Sequence, residues 1–330
     1  MNDDTTLIAR GFAGRSDYHK MAGLLQEMAV ADGTGTWTTA EAIEHDYQHL
    51  VNSTPETDML MVENAQGTLV AYARVGWNAD DEGRQVFMFP FNIHPTYRTL
   101  DLHRHLLRWV ATRGAALADR GDGAKPPILR AVLPNIDRDT VHQEALEAEA
   151  FQPVRYMYRM LRDLSRAVVP PPLPADLDVR PVPETHYWAA VQALDEAFRD
   201  HWGHVPLPEE AFEQVKGSPQ FRPDLWQVAW DGDEIAAGVF NWVDDEANAQ
   251  HNLKRGWTDP IFTRRPWRKR GLARALLMRS LKMFQNMGLT EAVLGVDTQN
   301  PNGALNLYES CGFEVEFCSV VYEKPVLAPA

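Results

Sequence analysis

Two stretches of this chain, 170 residues apart, follow one pattern. Phe91–Leu107 reads FNIHPTYRTLDLHRHLL and Ile261–Leu277 reads IFTRRPWRKRGLARALL, so Tyr97 falls on Trp267, Arg98 on Arg268, and Leu106–Leu107 on Leu276–Leu277. Each reads as a short apolar strand, a turn holding Pro and Arg, and the opening of an amphipathic helix. The halves also end alike. Ala148–Leu161 (AEAFQPVRYMYRML) and Ser310–Glu323 (SCGFEVEFCSVVYE) both read as a helix end, an aromatic residue and an alternating strand. Such a repeat constrains a chain of 330 residues to two copies of one fold.

A boundary between the copies is marked by proline. Ala167–Pro183 carries six prolines, which remove backbone donors and fix φ, so this segment favours a stiff, extended connector. The expected division is 1–165, a linker at 166–176, and 177–330. Apolar residues make up 45% of the chain, enough for each half to bury its own core.

The second half reads as strand Leu177–Pro181, helix Glu184–Arg199, short helix Pro208–Lys216, and a hairpin of Trp226–Trp230 and Ile235–Val243 around Asp231-Gly232-Asp233. Strand Gly256–Thr263, helix Gly271–Met287, strand Glu291–Val296, helix Asn302–Cys311 and strand Phe313–Glu323 follow. The order predicts an α/β (α+β) unit with a mixed central sheet flanked by helices.

Thr263–Ala273, TRRPWRKRGLA, is the stretch most suggestive of chemistry. A strand enters a turn with Arg268-x-x-Gly271-x-Ala273, and a helix begins there. A helix amino-terminus has free N–H groups and a partial positive charge, a ready seat for a pyrophosphate. Arg264, Arg265, Arg268, Lys269, Arg270 and Arg274 add six cations to a chain whose net charge is −14. That acidity argues against a nucleic-acid partner. A second element, Asn300–Phe313 (NPNGALNLYESCGF), follows a strand and places Tyr308 on a short helix ended by Gly312.

These two motifs closely resemble the GCN5-related N-acetyltransferase (GNAT) superfamily, and the tandem layout resembles its two-domain bacterial branch that includes mycothiol synthase. The resemblance implies two tandem GNAT-like domains with acetyl-CoA as co-substrate. It implies that backbone groups of Arg268, Lys269, Arg270, Gly271, Leu272 and Ala273 hold the CoA pyrophosphate, and that Ile261, Phe262 and Thr263 line the pantetheine arm. Ala304 and either Asn300 or Asn302 would also contact the cofactor arm, since Pro301 stands where the family has its usual Asn. Tyr308 would protonate the departing thiolate. For the general base, Asp259, Glu234 and His251 are open, with Asp259 nearest in sequence to the CoA-binding strand. Asp200, His201 and Trp202 lie where the family commonly shapes its acceptor site.

The first copy has Asp101 in place of Gly271 and His103 in place of Ala273. It is expected to bind no CoA and to serve as support and as a wall of the acceptor cleft. His94, His103 and His105 read as solvated helix and loop residues. Cys311 and Cys318 are too few for a metal centre or a disulfide framework, and no metal is expected. The start, MNDDTTLIAR, lacks the apolar run of a signal peptide, so a cytoplasmic monomer acting on a small-molecule amine is expected. A non-catalytic CoA-binding sensor or scaffold, and a protein N-acetyltransferase, are the alternatives.

Overall fold

The computed structural model describes residues 6–34, 38–80, 83–118, 125–204, 206–218, 221–300 and 303–327. Its first elements in chain order are β1 (Ile8–Arg10), α1 (Arg15–Asp32), α2 (Ala40–Gln48), α3 (Pro55–Asp58), β2 (Met59–Glu63), β3 (Leu69–Arg74), β4 (Gly76–Ala79), β5 (Gln85–Met88), β6 (Phe91–Ile93), α4 (Leu100–Leu117), β7 (Ile128–Leu133), α5 (Thr140–Ala148) and β8 (Gln152–Asp163). Then come β9 (Asp178–Val179), α6 (Tyr187–Phe198), α7 (Glu209–Lys216), β10 (Gln227–Asp231), β11 (Glu234–Trp242), α8 (Asp245–His251), β12 (Arg255–Thr263), α9 (Leu272–Asn286), β13 (Glu291–Asp297), α10 (Ala304–Ser310) and β14 (Glu314–Pro325). No helix of the described residues is long and apolar enough to cross a membrane.

The chain forms two compact units, Met1–Met157 with Phe317–Ala330, and Tyr158–Glu316. They do not divide at the proline-rich segment expected from the sequence. β8 gives Gln152–Met157 to the first unit and Tyr158–Asp163 to the second, while β14 gives Glu314–Glu316 to the second and Phe317–Pro325 to the first. The proline-rich segment is extended, as its composition dictates, but it is packed within the second unit. Val168 is buried, and Gln285 Nε2 donates to the carbonyls of Leu164 and Arg166 at 2.6 and 3.0 Å.

In the first unit β1, β2, β3 and β6 pair antiparallel. β5 runs antiparallel to β4 and parallel to β7, and β7 pairs antiparallel with β14 from Val320↔Leu133 to Pro325↔Ile128. Phe87, Leu106, Leu107, Leu129, Leu133, Phe151 and Tyr322 close its core. In the second unit β9, β10, β11 and β12 pair antiparallel, and β12 runs parallel to β13. α9 covers this sheet because Leu272, Leu276, Leu277, Leu281 and Phe284 share one face at helical spacing. The fit is close at Gly256, where a Cβ would lie 2.5 Å from the Phe284 ring. The sequence misses α8, which forms because Asp244 caps it by accepting from Ala247 N–H at 2.8 Å. His251, expected in a loop, is its last residue.

Candidate active site

The site is built where two parallel strands part. β12 and β13 pair at Arg255↔Glu291, Gly256↔Ala292 and Trp257↔Val293. Thr258 Oγ1 then donates to Val293 O at 3.3 Å. On its other edge β12 faces β11 with Thr258↔Asn241 but Ile261↔Val239, so it carries one extra residue at Asp259–Pro260. Such a bulge bends a strand and ends its pairing on the far side. Accordingly, Gly295 N–H on β13 reaches the Asp259 carboxylate, at 3.4 Å, instead of a β12 carbonyl. Ile261–Thr263 remain paired to β11 alone, which leaves their other edge open for an extended ligand.

The loop that follows is shaped by backbone conformation. Lys269 (φ 62°) and Gly271 (φ 80°) are both left-handed, and Gly271 caps α9 with no side-chain hydrogen bond. The first bond of the helix runs from Ala275 N–H to Gly271 O, so the preceding amides have no partner in the helix. Alternating left- and right-handed residues at a helix start make a concave anion seat. A Cβ at Gly271 would meet nothing within 4 Å, so glycine is required there for its φ and not for space within the protein.

The six cations of the loop are less available than their count suggests. Arg264 pairs with Glu196 at 2.8 Å and Glu234 at 3.5 Å, Arg265 with Asp200 at 2.6 Å, and Arg270 with Asp176 at 2.6 Å. Arg268 donates to the carbonyls of Thr263 and Ala197, both at 3.1 Å, and so holds the loop against the end of α6. Lys269 and Arg274 make no ion pair among the described residues. An anion at this loop would therefore meet amides and these two side chains.

Tyr308 on α10 is 8% exposed, with its ring 6.2 Å from that of Phe313. Burial, the Asp259 carboxylate and Cys311 push its phenol far above the usual range, so it is a proton donor at neutral pH. Asp259 is only partly exposed, and loss of hydration pushes its carboxyl up to about 6, with the Gly295 N–H opposing. The structure thus brings together a carboxylate titrating near neutrality and a protonated phenol at the parting of the strands.

The other expected residues make contacts of their own. Asn300 N–H donates to Asp297 O at 3.0 Å, at the turn after β13. Ala304 opens α10, and Asn302 falls outside the described residues. Asp200 belongs to the anion loop through Arg265, whose hydrogen bond lowers its pKa. His201 stacks on Phe198 at 4.1 Å, and burial, His204 and Arg268 lower its pKa while Asp297 opposes. Trp202 is 38% exposed. Glu234 is committed to Arg264. Sequence reasoning missed Gly295 and Trp242. Trp242 stacks on Trp257 at 4.7 Å and 5°, and its Nε1 donates to Asp259 O at 3.2 Å, fixing the bulge. Neither forms part of a local motif, because the register shift brings them to Asp259 from separate strands.

The first unit differs at the matching loop. Thr99 caps α4, its Oγ1 accepting from Leu102 N–H at 3.3 Å, and Arg98 is held by Asp32 at 2.5 Å and Asp139 at 3.2 Å. The expectation of a solvated His103 is wrong. It is fully buried, because Phe91 and His142 pack on it. His94 is mostly buried against Glu27, and His105 is exposed as expected.

Residues 187–313 match the sequence model of the acetyltransferase (GNAT) family. These residues form a stretch similar to a GNAT domain. The chain is 30% identical over 182 residues to the mycothiol acetyltransferase of Streptomyces scabiei, covering 54% of this chain and 56% of that protein. The chain thus spans about half the length of this relative. The fold extends the likeness beyond the GNAT domain. A GCN5-related N-acetyltransferase of Sphaerobacter thermophilus superposes with a TM-score of 0.74 at 24% identity, over 98% of this chain and 96% of that one. A tandem GNAT protein from the clavulanic acid biosynthesis pathway gives 0.69 at 13% identity, over 98% and 100%. At these identities the likeness establishes the fold, two mixed α/β units in tandem.

Proposed function

We propose that this chain transfers the acetyl group of acetyl-CoA to the primary amine of a small molecule, at one live site in the second unit. The reading rests on Asp259 and Tyr308 standing near enough for the carboxylate to act on the phenol, with burial pushing the Asp259 carboxyl up to about 6 and holding Tyr308 protonated.

The amides from Arg268 to Ala273 bind the pyrophosphate, with Lys269 and Arg274 as counter-charges. The open edge of Ile261–Thr263 orients the pantetheine arm as an added strand, and Asn300 and Ala304 border it. Asp259 takes a proton from the acceptor ammonium, so that its nitrogen attacks the thioester carbon. The C–N bond forms, the tetrahedral species collapses with cleavage of the C–S bond as Tyr308 gives its proton to the leaving sulfur, and the excess proton on the new nitrogen restores the Tyr308 phenol while Asp259 releases its own to solvent. His201 and Trp202 stand beside the site as acceptor-binding residues.

In the first unit the Thr99 cap occupies the helix amino-terminus and Asp32 with Asp139 neutralises Arg98, so this copy has no anion seat. We read it as a domain that binds no CoA. The small-molecule acceptor accords with relatives named for acetylation of mycothiol. A monomer in the cytoplasm suits such an enzyme.

Calorimetric titration of acetyl-CoA into the purified chain, followed by CoA-thiol release over a panel of small amines, tests the reading. One site per chain and amine-dependent thiol release are expected. One site without release from any amine or peptide would favour the sensor, and no binding would exclude both.

A further inference from the structure

The decayed loop of the first unit holds a buried cluster that the acetyl-transfer chemistry does not use. His103 on α4, with Asp139 and His142 at the start of α5, are all buried. One ligand atom from each lies within 4.8 Å of the others. His103 occupies the position matched by Ala273 in the second unit.

The hydrogen bonds dictate what this cluster lacks. His103 Nδ1 lies 2.7 Å from Thr99 O. A carbonyl only accepts, so Nδ1 carries the proton and Nε2 carries a lone pair. That nitrogen has no hydrogen-bond partner, and it lies 3.9 Å from Asp139 Oδ1. Asp139 Oδ1 already accepts the His142 backbone N–H at 2.9 Å, and it offers no proton to the unpartnered nitrogen it faces. His142 repeats the situation, with Nε2 unpartnered and Nδ1 3.8 Å from Asp139 Oδ2. Leaving buried polar groups unpaired costs about 1–3 kcal/mol each.

We infer that His103, Asp139 and His142 form a binding site for a divalent transition-metal ion, with zinc as the best match. Two imidazoles and a carboxylate are the donor set of a borderline metal. The Thr99 carbonyl supplies the outer hydrogen bond that fixes a ligating imidazole. Metal–ligand bonds of about 2.0–2.1 Å place tetrahedral donors roughly 3.4 Å apart, so donors now within 4.8 Å close in by up to about 1.4 Å. Arg98 also faces Asp139, at 3.2 Å, but its charge is shared with Asp32 at 2.5 and 2.8 Å. The two carboxylates and one guanidinium leave one net negative charge for the ion. The ion ties α4 to α5 in the unit whose anion seat has been lost.

The test uses the full chain, treated with a chelator and then titrated with Zn2+ by calorimetry and with Co2+ by visible absorption. One equivalent of Zn2+ is expected, with a rise in the thermal midpoint and Co2+ bands of a low-coordinate nitrogen–oxygen site. Both should be lost in His103→Gln and His142→Gln. No uptake overturns the inference. So does uptake that survives both substitutions and is lost in His45→Gln, whose ring lies 4.7 Å from that of exposed His49. If the His103 and His142 variants fail to fold, X-ray absorption of the zinc-loaded His45→Gln chain decides. Two imidazoles and a carboxylate support the site, and fewer imidazoles overturn it.

Discussion

Asp259→Asn should weaken catalysis and strengthen the fold, and the second effect has a pH dependence that the structure dictates. The carboxyl is pushed up to about 6 from an ordinary 3.8. Its ionisation therefore opposes folding, fully above pH 6 and not at all below 3.8. At about 1.4 kcal/mol per pH unit the difference is about 3 kcal/mol as an upper value. The substitution keeps an acceptor for the Gly295 N–H and removes the charge. Urea unfolding of parent and variant from pH 4 to 8 should give matching stabilities at the acid end. The variant should gain as pH rises toward 6 and level off above it, and every group common to both cancels in the difference. In the acetylation assay, loss of a general base costs roughly 10²–10⁴-fold in kcat/KM, and the parent's acid limb near pH 6 should vanish. A variant no more stable than the parent at pH 8 would refute the account of Asp259 as a desolvated carboxylate. A limb near 6 that persists would remove it as the base.

Gly271→Asp should abolish acetyl-CoA binding by calorimetry, because it puts a carboxylate at the anion seat and forces a φ of 80° on a residue with a Cβ. Unchanged affinity would displace the phosphate loop. Tyr308→Phe should lower kcat by roughly 10²-fold or more while acetyl-CoA affinity holds, and an unchanged kcat would take Tyr308 out of the mechanism. Gly256→Ala should destabilise the chain by about 1–3 kcal/mol in thermal melts, since the added methyl meets the Phe284 ring. No loss would mean that α9 sits further from β12 than described.

Local features of the sequence carried over well. The spacing of Leu272, Ala275 and Leu276 announces α9, Asp231-Gly232-Asp233 announces the β10–β11 turn, and Arg268-x-x-Gly271 marks the left-handed step into a helix. What depended on pairing between distant segments was not legible. The bulge at Asp259–Pro260 appears only once β12 is set against β11, and with it the role of Gly295 and the Trp242 brace. The basic run from Arg264 to Arg270 looked like free charge because Glu196, Asp200 and Asp176 are remote in sequence. His103 looked like a surface residue because nothing local foretells Phe91 and His142 packing over it.

The crossing of β8 and β14 bears on how such a chain can change. A duplicated copy that has lost its ligand is ordinarily free to erode or be deleted. Here the first half ends in Tyr158–Asp163, which lies in the second unit, where Met160 is wholly buried and Arg159 pairs with Glu316 at 2.9 Å. The last residues of the chain repay this by lining Ile128–Leu133 in the first unit. Cutting at the proline-rich segment would strip each half of a strand its core is built on. Each unit is thus completed by a strand segment from the other half of the sequence, so the first half can drift in chemistry but not in architecture.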